Sequence, residues 1–231
     1  MSHLDILAFD LDGTLVDTAP DLTAALNHAL QCLGREPVAP GSVRAMVGHG
    51  ARALLERGLA ATGAMDPESV EAGLPHFMDH YRANIARKSR PFPGAEAVLD
   101  WAAAAGVRLA ICTNKPEGLA RDLVRELGWG ERFHAILGAD SRPWRKPDPR
   151  HLLDTIAAAG GGRTLFVGDS RTDADTAAAA AIPFVLVSFG YAGDELASLK
   201  ADHRIDHFDA LPPILAAVQT GFSGADHDAR S

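Results

Sequence analysis

Five short apolar runs, at 6–9, 107–112, 135–137, 165–167 and 184–187, do not alternate apolar with polar residues. A strand with one face in water alternates; a run without alternation belongs in a parallel sheet covered on both faces. Helical stretches separate the runs. Residues 95–105 are alanine-rich around Val98, Leu99 and Trp101, and 117–127 carry Leu119, Leu123, Val124 and Leu127 before a C-cap candidate, Gly128. Residues 151–159 end at Gly160-Gly161-Gly162, and 172–181 are nearly all alanine on one side. Strands alternating with helices predict an α/β fold, a doubly wound parallel sheet with a Rossmann-like core. The chain's 231 residues, 47% of them hydrophobic, suffice for that core and an insertion.

One connection is far longer than a strand–helix–strand unit, which needs about 30 residues. It runs from Asp10 to the apolar run at 107–112, and it is itself helical. Thr18-Ala19-Pro20-Asp21 predicts a capping box with Asp in place of Glu. Leu22, Ala25, Leu26, Ala29, Leu30 and Leu33 follow at helical spacing, and Gly34 closes the run. Residues 43–47, 51–61 and 67–87 read as helices too, the last interrupted by Gly73 and Pro75. Pro91-Phe92-Pro93-Gly94 marks the return. The predicted organisation is an α/β catalytic core from 1–16 and 91–220. A helical cap at 17–90 is inserted after the first strand, and a disordered tail follows at 221–231.

Composition narrows the partners. The net charge is -8, from 22 basic against 30 acidic residues, which argues against nucleic acid as a partner. No segment approaches the ~20 apolar residues of a membrane helix, and the first apolar run is too short for a signal peptide. A cytoplasmic location is expected. Two cysteines make no disulfide framework, and Cys112, inside an apolar run, reads as a buried free thiol. The sequence leaves the oligomeric state open.

Ligands bind beyond the carboxyl ends of the strands in open parallel sheets. Those ends carry Asp10 and Asp12; Thr113, Asn114 and Lys115; and Gly168, Asp169 and Ser170, with Asp173 further on. A longer loop after 135–137 brings Lys146. Like charges about 4 Å apart repel by roughly 4 kcal/mol at an effective dielectric of about 20, so these carboxylates need compensation. Lys146 supplies one positive charge. An oxygen-liganded dication supplies two, and Mg²⁺ suits carboxylates plus a substrate phosphate. Asp10 stands where it can attack phosphorus, and Asp12 where it can protonate a leaving alkoxide and then take a proton from water. Thr113 and Lys146 can hold phosphate oxygens. Gly13 leaves room for the backbone N–H groups of Leu11 and Asp12 to approach the phosphate. Thr113-Asn114 can also cap the helix after Pro116, and a helix N-terminus attracts phosphate. The remaining histidines His76, His80, His134, His151, His203 and His207 suggest no metal spacing.

Asp-Leu-Asp-Gly-Thr at 10–14, Thr113, Lys146-Pro147 and Gly-Asp-Ser-x-x-Asp at 168–173 resemble the four ordered motifs of the haloacid dehalogenase-like hydrolase superfamily. The resemblance runs to about Val218. It implies Asp10 as nucleophile and metal ligand, Asp12 as acid/base with a carbonyl metal ligand, and Asp169 as metal ligand. Asp173 is implied near the metal, where a first-turn helix charge is an equal alternative. Residues 12–22, Val47-Gly48-His49-Gly50-Ala51 with Leu54-Leu55-Glu56-Arg57, and Pro93-Gly94 are similar to the phosphoglycolate phosphatase group. That similarity implies a helical cap from which His49 and Arg52 face the substrate; Gly13 and Asn114, at the strand ends, are expected as further substrate-binding positions. The expected activity is Mg²⁺-dependent hydrolysis of a small phosphorylated metabolite, with 2-phosphoglycolate leading. Nucleotides, pyrophosphate and sugar phosphates are alternatives, as is a sugar phosphomutase using the same aspartyl-phosphate. A haloacid dehalogenase needs neither Asp12 nor a metal, and a non-catalytic phosphate binder does not need the whole set.

Overall fold

The computed structural model describes residues 4–221. Its main sheet has the strand order β5-β4-β1-β6-β7-β8, every neighbouring pair parallel. The strands are β1 (Ile6–Phe9), β4 (Arg108–Cys112), β5 (Phe133–Leu137), β6 (Thr164–Gly168), β7 (Phe184–Val187) and β8 (His203–Ile205). All five apolar runs lie in strands. β8 escapes sequence reading because His203-Arg204-Ile205 buries one side chain, Ile205, at the sheet's edge.

The unbroken apolar runs have the expected cause. Leu7, Phe9, Leu109, Ile111, Leu165 and Val167 enter one core; Ile6, Ala8, Ala110, Cys112 and Phe166 enter the other. Adjacent strand residues point to opposite faces, so both sets are buried, each large side chain contributing about 1.5–3 kcal/mol. Helices α5 (Ala95–Ala104), α6 (Glu117–Glu126) and α9 (Leu211–Gly221) supply the first core. Helices α7 (Pro149–Ala158) and α8 (Arg171–Ala180) supply the second. Gly221 is the last residue of α9; the rest of the expected tail, 222–231, lies outside the described residues. Among the described residues no helix is long and apolar enough to cross a membrane.

The long connection leaves through β2 (Val16–Asp17) and returns through β3 (Arg90–Pro91), an antiparallel two-stranded ribbon. Between them lie α1 (Ala19–Cys32), α2 (Pro40–Val43), α3 (Ala51–Thr62) and α4 (Pro67–Ala83). The expected capping box does not form. Thr18 makes no side-chain cap, and Asp21 instead accepts hydrogen bonds from the Lys88 and Ser89 N–H groups and the Ser89 hydroxyl. A carboxylate buried at this point binds the start of α1 to the returning chain. Neither Gly73 nor Pro75 breaks α4. Val70, Gly73, Phe77 and Tyr81 form its buried stripe, and Pro75 lies on the exposed face. A Cβ at Gly73 would crowd Leu33 and Leu55, so glycine is there for close helix packing. The helix ends at Ala83 rather than at 87, with Asn84 beyond it.

His151 on α7 is fully buried, its Nε2 3.1 Å from the Gly138 carbonyl oxygen and its Nδ1 3.6 Å from Cys112 Sγ. Burial, then Lys146, lowers its pKa to about 4. The unfolded chain therefore takes up this proton at higher pH than the native one, and stability is lost as pH falls from about 6.5 towards 4. A His151→Gln variant keeps a donor for Gly138 and loses this slope. Thermal melts of both proteins across that window should converge, the difference closing by on the order of 2–3 kcal/mol. Parallel melting curves would remove His151 as the cause. Cys112 is the buried free thiol expected from sequence, its pKa pushed up to about 12 by burial.

Candidate active site

Strand register gathers the site. Phe9 is level with Ile111 on β4 and Val167 on β6, so Asp10, Thr113 and Asp169 emerge together at the carboxyl edge. The Asp10 N–H donates to the Val167 carbonyl and the Thr113 N–H to that of Leu137, which fixes both backbones. Asp10 is buried, and its Oδ1 accepts from the Leu11 N–H at 2.7 Å and lies 2.9 Å from Lys146 Nζ. That Leu11 N–H is thus committed to the carboxylate and not to a phosphate, a correction to the sequence reading.

Lys146 also donates to Asp173 Oδ1 at 2.6 Å. Asp173 Oδ2 accepts from the Ser170 hydroxyl and from the Ser170 and Asp169 N–H groups, completing a capping box for α8. One Asp173 oxygen thus serves the first turn of the helix, and the other faces the lysine of the site. Carboxylate oxygens of Asp10, Asp169 and Asp173 lie within 4.8 Å of one another. Burial pushes the Asp10 carboxyl up to about 7, against the pull of Lys146. Burial, then Asp173 and Asp10, raises Asp169 as well. Burial alone would lower Lys146, but Asp10 and Asp173 outweigh it and hold the ammonium above its usual value.

Asp169 sits in a close-fitted cradle. Its Oδ2 accepts from the Tyr191 N–H at 2.6 Å, and the Thr14 hydroxyl approaches Oδ1 at 3.3 Å. A Cβ on Gly13, which has φ +85, or on Gly190 would run into this carboxylate. The Tyr191 hydroxyl accepts from the Thr18 and Ala19 N–H groups and donates to Asp17. One residue thereby joins the site to the ribbon that carries the helical insertion. Sequence reasoning passed over Tyr191, because a tyrosine beyond the last apolar run bears no local signal.

Asp12 is paired with a second lysine. Its carboxylate accepts from Lys115 Nζ at 3.0 and 3.2 Å, and that ammonium also donates to the Tyr81 hydroxyl at 2.6 Å. Lys115 is buried, so the site holds two lysines. The signal was present, since Lys115 directly follows Thr113-Asn114 at the end of β4, but it carried no assigned role. Thr113 Oγ1 accepts from the Lys115 N–H. Asn114 donates to the carbonyls of Lys146 and Gly48, linking core to insertion, while its buried Oδ1 has no protein partner.

A cavity opens over Asp10, Asp12 and Thr113, with Leu22, Leu54, Phe77 and Leu119 as apolar walls and Lys115 and Tyr81 as its polar side. The insertion's loop lines it with Gly48 and Gly50. His49 between them is turned to Arg57, its Nδ1 3.3 Å from that guanidinium. Burial, then Arg57 and Arg145, lowers its pKa. Arg52 lies on the outer side of α3, half-exposed and paired with Glu71 at 2.8 Å. In this conformation neither side chain lines the cavity.

Residues 4–181 match the family model described as haloacid dehalogenase-like hydrolase. The chain is 48% identical to a phosphoglycolate phosphatase of Mesorhizobium japonicum over 214 residues, 91% of this chain and 94% of that protein. It is 48% identical to one of Caulobacter vibrioides over 217 residues, 93% and 92% of the two. The fold matches the crystal structure of a predicted phosphoglycolate phosphatase from Haemophilus somnus with a TM-score of 0.87 at 29% identity, covering 93% of this chain and 99% of the other.

Proposed function

The chain belongs to the haloacid dehalogenase-like hydrolase family, and we propose that it is a phosphatase hydrolysing a small phosphate monoester, 2-phosphoglycolate foremost, through an aspartyl-phosphate on Asp10. The observation that carries this reading is the Asp10 carboxylate, buried at the strand edge with Oδ1 held by Leu11 and Lys146. Oδ2 takes neither contact and is the oxygen assigned to attack. As it bonds to phosphorus the ester P–O bond breaks, and Asp12 gives a proton to the departing alkoxide. Asp12 then takes a proton from water, which attacks phosphorus, releases inorganic phosphate and restores Asp10. The Thr113 hydroxyl and Lys146 orient the phosphate oxygens.

The donor set fits a hard dication. Lys146 contacts two of three clustered carboxylates, Asp10 and Asp173, and one ammonium does not balance Asp10, Asp169 and Asp173 once all are ionised; burial holds Asp10 and Asp169 above the usual carboxylate range. All the donors are oxygen, as Mg²⁺ prefers. Asp10 and Asp169 would hold it with Asp173 alongside, and when bound it supplies positive charge that lets an anionic ester enter and offsets charge in the transition state.

Phosphoglycolate carries a carboxylate one carbon from the ester oxygen. Lys115 and the Tyr81 hydroxyl form the cationic, hydrogen-bonding side of an otherwise apolar cavity, the chemistry a carboxylate needs there. The helices of 17–90 act as a lid in this reading, excluding bulk water and shaping the room for the leaving group. Phosphate release from a panel of phosphorylated metabolites tests it. Turnover should be highest with 2-phosphoglycolate, vanish with a chelator and return with Mg²⁺. Failure to hydrolyse any monoester with Mg²⁺ present would overturn the assignment.

A further inference from the structure

Sequence spacing suggested no metal ligands among the histidines, yet the fold brings four nitrogen and sulfur donors together away from the active site. His28 and Cys32 lie one turn apart on α1, and His76 and His80 one turn apart on α4. Each pair shares a helix face. His28 Nε2 is 3.7 Å from Cys32 Sγ. The His28 ring stacks on His80 with centroids 4.5 Å apart and meets His76 edge-on at 6.4 Å. Ligand atoms of His28, Cys32 and His76 lie within 4.8 Å of one another. The signal was hidden because each helix offers only two donors, and their sequence separation of more than 40 residues gives no hint that α1 and α4 pack together.

We infer that His28, Cys32 and His76, with His80 beside them, form a binding site for one Zn²⁺-class ion that bridges α1 and α4. Imidazole and thiolate suit borderline-soft divalent metals, not the hard Mg²⁺ of the carboxylate site. The spacing agrees. Tetrahedral zinc with bonds of about 2.1 Å to nitrogen and about 2.3 Å to sulfur sets those atoms about 3.6 Å apart. The Cys32 thiol is exposed and gives up its proton on metal binding. The ion would act at a distance on the catalytic cavity, because Phe77 and Tyr81, which line that cavity, directly follow His76 and His80 on α4.

Titration of the metal-free full-length protein with Co²⁺ in excess Mg²⁺ tests the site. Cobalt bound by a thiolate shows a sulfur-to-metal charge-transfer absorption that an all-oxygen site cannot give. Cys112 does not confound the readout, being fully buried in the sheet. The band should saturate at one Co²⁺ per chain and disappear on adding Zn²⁺. Zn²⁺ at a hundredfold excess over its Kd should raise the melting temperature by about 5 °C or more. The exposed double variant Cys32→Ser, His76→Gln should lose the band and the shift while keeping Mg²⁺-dependent phosphate release. No thiolate band in the wild type, or an equal Zn²⁺ shift in the variant, would overturn the inference.

Discussion

An Asp10→Asn variant is expected to lose turnover by on the order of 10⁴-fold or more while folding at least as stably as the parent in the absence of metal. Activity falls because an amide oxygen is a poor nucleophile for phosphorus, and among the described residues no other carboxylate stands in its place: Asp12 is turned to Lys115 and Asp169 to Tyr191. Stability should hold because Asp10 is one of three clustered carboxylates, with Asp169 and Asp173, and Lys146 keeps its contact with Asp173 when Asp10 is replaced. Like charges about 4 Å apart cost roughly 4 kcal/mol at an effective dielectric of about 20, so removing one relieves repulsion. The Asn oxygen can still accept from the Leu11 N–H. Single-turnover phosphate release and thermal melts in chelator measure the two effects separately. A folded Asp10→Asn protein that cleaves esters at the parental rate would end the covalent mechanism. A variant that is inactive because it fails to fold would assign Asp10 to structure.

The sequence made the sheet legible because burial on both faces leaves a local mark, an apolar run without alternation. The carboxyl-edge residues followed from the parallel topology, since Asp10, Thr113 and Asp169 each sit one or two residues past such a run. What escaped was set by contacts between distant segments. The Thr18–Asp21 capping box was a sound local reading, but Asp21 gains more from the N–H groups of Lys88 and Ser89 than from its own helix. Pro75 argued for a break in α4, yet it lies on the exposed face while Phe77 and Tyr81 keep the buried stripe. Tyr191 takes its meaning from four partners far away in sequence, Asp169, Asp17, Thr18 and Ala19. The second lysine was visible as a residue and invisible as a partner, because nothing local tells which carboxylate a lysine will meet.

Replacing Lys115 by Met should change which esters are hydrolysed more than whether they are. For 2-phosphoglycolate kcat/KM is expected to fall by about 10²–10³-fold; for ethyl phosphate, of similar size without the carboxylate, the fall should be about tenfold or less. The buried ammonium of Lys115 is shared by Asp12 and the Tyr81 hydroxyl. A substrate carboxylate entering the cavity competes with Asp12 for that ammonium. On this reading the freed Asp12 carboxylate, no longer paired with the ammonium, takes up a proton from water and can give it to the leaving oxygen, so recognising the correct leaving group would ready the acid that expels it. Ethyl phosphate offers no carboxylate and should leave Asp12 tied to Lys115, so it is expected to be a slow substrate of the parent as well. Methionine is unbranched and fills a similar length, while the ammonium that lies over the Tyr81 ring is lost, so the change is chiefly one of charge. Tyr81→Phe, which keeps the ring and removes the hydroxyl, should shift the ratio in the same direction by a smaller factor. The decisive quantity is the ratio of kcat/KM for the two esters. If Lys115→Met lowers both equally, Lys115 serves only to position Asp12, and the carboxylate must be recognised elsewhere.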